Sequence, residues 1–522
     1  LRTLQKAISG TYSVLLDKAL KRPVITLTVA VAIFAGSLAL FPVIGFSLFP
    51  ASEKPQFMVN VVAPLQTNLS HTDEITKYVE QELSKIPEVE YYASNVGKGN
   101  PPVYYNVAQE NERSDFAQVF VQLEKHTGVE KKQEIADRLR AVFNEYPGAK
   151  IEVKNFEQGP PMVAPVEVRL SGDNLDTLRK LSQEVETMLK EIPGTMYVNN
   201  PVSNLKSDFK LVISKEKARA LGVNTVDIDR TVRLAIAGVD LGTFSDENND
   251  EFSMLLTTHK GEHATLDVFN RLYINNQQGQ AILLSQIASL KLESSPLFIN
   301  HLNKVRTVSV SAFAQKGVLA DNLIREVMTK MDAKKLPQGY SYVMGGEFES
   351  RNESFGGFNT IITITVFLFV AVLILLFKTF KSTLIVLSVI PLGIVGAVIA
   401  LWMTGNSLSF VAVIGLIALA GIEVKNSILL VDFTNQLREE GRSLDEAIRE
   451  AGEVRFLPIV LTSLTAIGGL IPIAISTNPL ISPLAIVLIG GLISSTLLSR
   501  VVTPIIYRLI PPKVEVKKTA TV

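Results

Sequence analysis

The sequence contains no cysteine. Disulfides and thiolate metal sites are therefore excluded, and cysteine usage gives no indication of compartment. Histidine is sparse and scattered: His71, His126, His259, His263 and His301. His259 and His263 stand four apart, but at the end of a strand-like run with no helix to align them, so they are expected to be solvated rather than metal-bound. No G-x-x-x-x-G-K-[ST] segment occurs. "VGKGNPP" at 96–102 is glycine-rich, yet no Gly-Lys-[Ser/Thr] opens a helix there. Nucleotide is thus not expected to power this chain, and no catalytic set points to an enzyme. An excess of charge of one sign is missing as well. Lys+Arg and Asp+Glu each number 51, so nothing argues for nucleic acid as a partner.

What is present is apolar sequence. Of the 522 residues 47% are hydrophobic, yet 20% are charged, a mixture expected of membrane spans joined to large soluble parts. Six runs pass the length test of ~20 residues for a spanning helix: 24–43, 358–377, 382–402, 409–431, 456–476 and 482–507. Basic residues cluster on alternate connections: Lys18, Lys21 and Arg22; Lys378 and Lys381; Arg438, Arg442 and Arg449; Lys513, Lys517 and Lys518. "MTGNSLS" (403–409) and "STNPLIS" (476–482) carry none. The positive-inside rule then places both ends in the cytoplasm and residues 44–357 outside. The chain starts at Leu1 rather than Met, with no cleavable signal-peptide pattern ahead of the first span, which leaves open a fragment or a missing start.

The outer segment alternates strand and helix patterns. Gln56–Ala63, Val89–Asn95, Val103–Ala108, Gln118–Leu123 and Lys150–Phe156 read as strands. Leu69–Ile86 and Lys131–Glu145 repeat apolar residues at helical spacing. The sum is a β-α-β-β-α-β, ferredoxin-like unit. A second unit begins at Val166–Leu170, continues through helix 174–192 and strand Met196–Asn199, and is completed by Val305–Ala312, Val318–Met331 and Tyr340–Met344. About a hundred residues, 203–300, interrupt it, with a hairpin-like arm from Asp240 to Thr258. A repeated unit carrying such an insertion points to duplication plus an assembly arm, although a generic binding or scaffold domain has the same pattern.

"GIEVKNSILLVDF" (421–433) places charge inside a span. A charged group at bilayer depth costs at least ~2.5–3.5 kcal/mol and usually faces a bundle interior or an ion path. Lys425 lies two positions from Glu423, about 200° around a helix, so the two cannot pair. Lys425 and Asp432 are seven apart, on one face and roughly 10 Å along the axis; Asp432 is equally readable as an interfacial residue. In the fifth span Arg455 and Thr462 share a face, although Arg455 also fits an ordinary basic flank and Thr462 a hydroxyl bonded to its own backbone. Lys425 differs. No other span offers a mid-membrane Asp or Glu, so its partner is expected on a helix outside this chain. A carboxylate–lysine cluster at low dielectric takes up and releases protons.

These residues carry a resemblance. One span, two α+β units with an insertion, then five spans resembles the C-terminal half of a resistance-nodulation-division (RND) efflux transporter. "GIEVKNSILLVDF" and "VRFLPIVLTSLTAIGGLIPIAI" (454–475) are similar to its two proton-relay helices. "FPASEKPQFMVNVVAP" and "GGEFESRNESFGG" look like the two ends of its outer domain. The branch resembled is the hydrophobe/amphiphile, AcrB-type one. The implied fold class is an α-helical membrane bundle (six spans) plus a large periplasmic α+β portion of ferredoxin-like porter subdomains with an inserted docking domain. The implied parts are a cytoplasmic amphipathic segment (1–23), a first transmembrane helix (24–43), a first porter subdomain (44–160), a second (161–202 and 301–350), a docking insertion (203–300), five transmembrane helices (358–510) and a cytoplasmic tail (511–522). The implied function is proton-driven expulsion of drugs or amphiphiles, with no cofactor beyond the proton gradient. A metal-ion or lipid exporter of the same fold is the first alternative, and a non-transporting membrane-anchored assembly or sensing protein the second. Metal export would favour methionine stepping stones, and the outer domain has eight scattered Met, from Met58 to Met344.

Position by position, the resemblance assigns Lys425, Arg455 and Thr462 to the relay, with Asn426 grouped beside them. Glu423 departs from the family pattern, which is commonly apolar there, and is added as an extra relay carboxylate. The family's drug pocket is partly lined by phenylalanines around the loop matching 93–101. Here "ASNVGKGNP" has none, and Tyr91, Tyr92, Gly97, Gly99, Tyr104 and Tyr105 stand as the substrate-path candidates. The implied partners are an N-terminal half carrying relay aspartates, further copies in a trimer, a periplasmic adaptor, an outer-membrane channel, small amphiphilic substrates and the lipid of a Gram-negative-type inner membrane.

Overall fold

A computed structural model of the chain describes residue 12 and residues 16–50, 52–203, 205–258 and 266–514. His259 and His263 lie outside them. The chain divides into two compact units, Leu1–Ser203 with Ile299–Val522, and Asn204–Phe298.

In the larger unit, helix α1 (Pro23–Leu38) is followed by a short turn of helix at Phe41–Ile44. Strand β1 (Gln56–Val62), helix α2 (Leu69–Ser84), strands β2 (Val89–Val96) and β3 (Phe116–Leu123), helix α3 (Val129–Asn144) and strand β4 (Lys150–Asn155) follow. The four strands form one antiparallel sheet in the order β2-β3-β1-β4. Alternation along β1 turns Phe57, Val59 and Val61 into a core shared with Ile75, Val79 and Leu83 of α2 and Ile135 and Leu139 of α3. Full burial of each such side chain contributes ~1.5–3 kcal/mol. Asn68 starts α2 by accepting the His71 amide at 2.8 Å.

Val103–Ala108 is not a strand as the sequence led us to expect; it is part of a loop. Pro101 and Pro102 remove two ladder donors just before it. Asn106 Nδ2 then holds it to the carbonyls of Glu157 (2.9 Å) and Gly159 (3.0 Å). This loop tucks Tyr104 onto the sheet face opposite the helices, beside Met58 and Phe156. That cover is why β3 is buried on both faces.

The second sheet repeats the first. Strand β5 (Val166–Ser171), helix α4 (Leu175–Glu191), strand β6 (Thr195–Asn199), strand β7 (Val305–Ala314), helix α5 (Ala320–Asp332) and strand β8 (Ser341–Gly346) pair in the order β6-β7-β5-β8. Val166, Val168 and Leu170 pack on Leu178, Leu181 and Val185 of α4 and on Leu323 and Val327 of α5.

Helix α6 (Glu347–Phe355) leads back to the apolar helices α7 (Phe358–Phe377), α8 (Phe380–Leu387), α9 (Ile390–Met403), α10 (Phe410–Glu439), α11 (Leu444–Ala474) and α12 (Ser482–Leu509). Among the described residues six helical stretches are long and apolar enough to cross a membrane. The third is broken between α8 and α9, where Pro391 starts α9. The fifth begins at Leu444, well ahead of the apolar run, because Ser443 and Glu446 form a capping box. Small residues set the closest contact. A Cβ on Gly396 of α9 would lie 2.0 Å from the Gly490 carbonyl of α12, and one on Gly490 would lie 2.4 Å from Ala400.

The outer and apolar parts of this unit meet at the start of α10. Phe46–Ser47 pairs in parallel with Leu408–Ser409. Ser409 caps α10 by accepting the Ala412 amide. The Leu48 amide donates to Glu347 Oε1 at 2.6 Å, and its carbonyl accepts from Phe410. Nearby, the Lys132 amine is buried and donates to the carbonyls of Ser52 and Lys54, tying the chain ahead of β1 to α3.

The smaller unit pairs Leu205–Ile213 with Ala288–Pro296 over a core that includes Ile228, Ile274 and Ile287. Its strands Val239–Ser245 and Glu251–Leu256 form an exposed hairpin with Leu241, Phe244, Phe252 and Leu255 uncovered.

Candidate proton-relay site in the apolar helices

Helix α10 carries two polar faces. Burial along it follows the helical period: Gly415, Leu419, Glu423, Ser427, Leu430 and Thr434 are buried, while Ile414, Gly421, Lys425, Asp432 and Gln436 are exposed. Lys425 and Asp432 therefore lie on one uncovered stripe. Among the described residues Lys425 forms no ion pair. Asp432 accepts a hydrogen bond from Gln436 Nε2 at 2.8 Å. Asn426 is half-buried beside Lys425.

On α11, the Arg455 guanidinium lies 4.7 Å over the Phe433 ring of α10, and its shielded Nε has no hydrogen-bond partner among the described residues. Thr462 is exposed and donates to the Pro458 carbonyl at 2.8 Å. That is the local backbone bond its position allowed. Pro458 lies within the helix, and Thr462 faces outward with Leu461, Leu464 and Thr465.

Glu423 points the other way. It is 1% exposed; the Ser495 hydroxyl of α12 approaches its carboxylate, but among the described residues neither oxygen completes a hydrogen bond. Gly393 of α9 makes room for it: a Cβ there would lie 1.8 Å from Glu423 Oε1. Ser427, one turn along, is buried with its hydroxyl also unpartnered. The structure thus places Lys425 and Asp432 together and sets Glu423 apart from them.

Sequence reading missed Arg500. It sits within α12, 3% exposed, with Nε and Nη1 unpartnered among the described residues. Tyr12, which stacks on Phe456 at 4.5 Å, donates its hydroxyl proton to the Arg500 carbonyl. The signal was available: "LLSRVVT" is a single charge inside an apolar run.

The substrate-path candidates fall around the loop after β2. Tyr91, Tyr92 and Tyr105 are exposed, and Tyr104 is buried against Phe156 at 4.7 Å. Tyr91 lies 6.5 Å from Phe120 on the same sheet face. The Tyr105 hydroxyl accepts from the Gly159 amide. Gly97 has φ +84, a conformation a side chain would strain. The Gly99 amide and carbonyl are tied to Glu110 and Gln109. The result is an aromatic face around Met58. Among the described residues no group of three or more His, Cys, Asp or Glu is placed to hold a metal ion.

Residues 2–511 match the sequence model of the AcrB/AcrD/AcrF family, and the chain belongs to that family of RND efflux transporters. Curated relatives include the cation efflux system protein CzcA of Alcaligenes sp. (strain CT14), 28% identical over 520 residues, covering 95% of this chain and 48% of the relative. The cobalt-zinc-cadmium resistance protein CzcA of Cupriavidus metallidurans matches with the same identity and coverage. Protein HelA of Legionella pneumophila is 27% identical over 518 residues, covering 92% of this chain and 47% of its own. Two crystal forms of a heavy metal efflux pump share the fold, with TM-scores of 0.82 and 0.83 at 21% identity; they cover 96% and 98% of this chain and 52% and 53% of theirs. The chain spans about half the length of the curated relatives it matches.

Proposed function

We propose that this chain is half of a proton-driven RND exporter, with its six apolar helices spanning an inner membrane and its α+β portion in the periplasm. The observation that carries the proton coupling is Lys425, a cation inside a membrane helix, on an uncovered stripe with no anionic partner among the described residues. The stripe is the docking face for a partner helix that supplies carboxylates. Arg455 and Thr462 extend the relay along α11. Charge changes at Lys425 pass to the outer portion through the start of α10, where Ser409, Phe410 and Glu347 hold the chain leaving α1.

The proposed cargo is a metal cation. The names of the curated relatives favour this over the drugs and amphiphiles that the AcrB-type resemblance implied. A second reading, an amphiphilic cargo, keeps support from the aromatic face formed by Tyr91, Tyr104, Phe120 and Phe156. The remaining partners follow the family, whose pumps work as trimers with an adaptor and an outer-membrane channel. The test of cargo is growth of a pump-deficient host expressing the complete transporter. Tolerance to cobalt, zinc or cadmium should rise, with no gain against dyes or detergents; the opposite pattern moves the cargo to the amphiphile reading.

A further inference from the structure

Glu423 is a buried acid that the Lys425 stripe does not use. Each neighbouring element offers it space but no countercharge. Helix α9 presents Gly393, whose missing side chain leaves the carboxylate its cavity. Helix α12 presents Ser495, and that hydroxyl is turned to the Leu492 carbonyl at 3.4 Å. Lys425 is on the opposite side of α10. Arg500 is five residues beyond Ser495, about 140° around α12 and roughly 7.5 Å along it. Arg455 is stacked on Phe433, ten residues or about 15 Å down α10. Tyr12 is engaged with Phe456 and the Arg500 carbonyl.

Among the described residues an ionised carboxylate in this position has no cation. A neutral carboxyl has the Ser495 hydroxyl oxygen as its candidate acceptor. A side chain kept for structure alone would carry a fixed partner for its charge, because an unpaired buried polar group costs ~1–3 kcal/mol. A hard metal cation does not fit either, since it takes about six oxygens and this cavity offers one carboxylate beside hydroxyls. A proton needs only the carboxylate.

We propose that Glu423 is a second proton-binding site, separate from the Lys425 stripe, and that its loading and unloading change the fit of α9 and α12 against α10. The step is a simple exchange: an O–H bond forms on Glu423 as one O–H bond of hydronium breaks and leaves water, and release reverses both. A role in export rests on the proton-driven reading above, whereas occupancy by a proton is measured without transport.

The experiment is pH-difference infrared spectroscopy on the complete transporter in lipid nanodiscs, as wild type, Glu423→Gln and Lys425→Ala. Glu423→Gln keeps the shape of the side chain and removes only its proton exchange. The wild type is expected to show a protonated-carboxyl carbonyl band that fades as pH rises. The band should vanish in Glu423→Gln and persist in Lys425→Ala. A Glu423-dependent band that ignores pH, or no such band, overturns the proposal. In reconstituted vesicles, the pH of half-maximal proton uptake should move by at least ~1 unit in Glu423→Gln, a tenfold change in proton affinity. An unchanged profile removes Glu423 from the cycle. An active Lys425→Ala pump would sink the relay reading and leave the spectroscopic result standing.

Discussion

Lys425 and Glu423 are two positions apart and meet opposite surroundings, as the 200° turn between them requires. That angle was legible in the sequence. Which side would be covered was not, because burial depends on α9 and α12, more than twenty residues away in either direction. Gly393 shows the same dependence: only its contact with Glu423 explains a glycine there. We expect Gly393→Ala to destabilise the protein by ~1–3 kcal/mol through overpacking. A double-mutant cycle with Glu423→Ala, read by denaturation, should recover most of that loss. Simple addition of the two effects would remove the close contact. Lys425→Ala should abolish export at unchanged expression and assembly. Arg500 went unseen because an arginine ahead of a basic C-terminal sequence resembles a flank, although α12 buries it.

Long periodic elements were the most readable. The apolar runs and the amphipathic α2, α3, α4 and α5 stand where their spacing placed them, and both sheets follow from strand alternation. Local chemistry moved the boundaries. The capping box at Ser443 lengthened α11, and a predicted strand became a loop because Pro101–Pro102 precede it and Asn106 fastens it. Lys132 belongs to this scale, since it ties the chain ahead of β1 to α3. Burial pushes its amine down to about 8, against an ordinary value near ~10.4. Below about pH 8 the group is charged in folded and unfolded states alike, and its burial cost is fully present. Between about 8 and ~10.4 the unfolded state binds the extra proton, so this group's contribution to stability rises with pH. The stability difference between wild type and Lys132→Met should therefore shift in favour of the wild type across that window. A difference that stays flat with pH would mean the amine titrates normally.

At the scale of the molecule, the order of apolar helices and the two similar α+β sheets were readable because each is written in periodicities tens of residues long. Cargo was not. It depends on a few side chains around an aromatic face, and the resemblance pointed to amphiphiles where the relatives' names point to cations. The proposed assembly would draw on exposed surface. The hairpin Val239–Leu256 leaves Leu241, Phe244, Phe252 and Leu255 uncovered, a pattern suited to a protein partner. Replacing Leu241 and Phe244 with serine should lower the oligomeric state measured by light scattering while leaving far-ultraviolet circular dichroism unchanged. An intact oligomer would move the contact elsewhere.

The central claim is that Lys425 couples proton flow to export. Its most direct test is proton flux into vesicles containing the complete transporter, driven by an imposed pH gradient, with and without cadmium or zinc. Cation-stimulated flux is expected in the wild type and none in Lys425→Ala. Equal, cation-stimulated flux in both would contradict it.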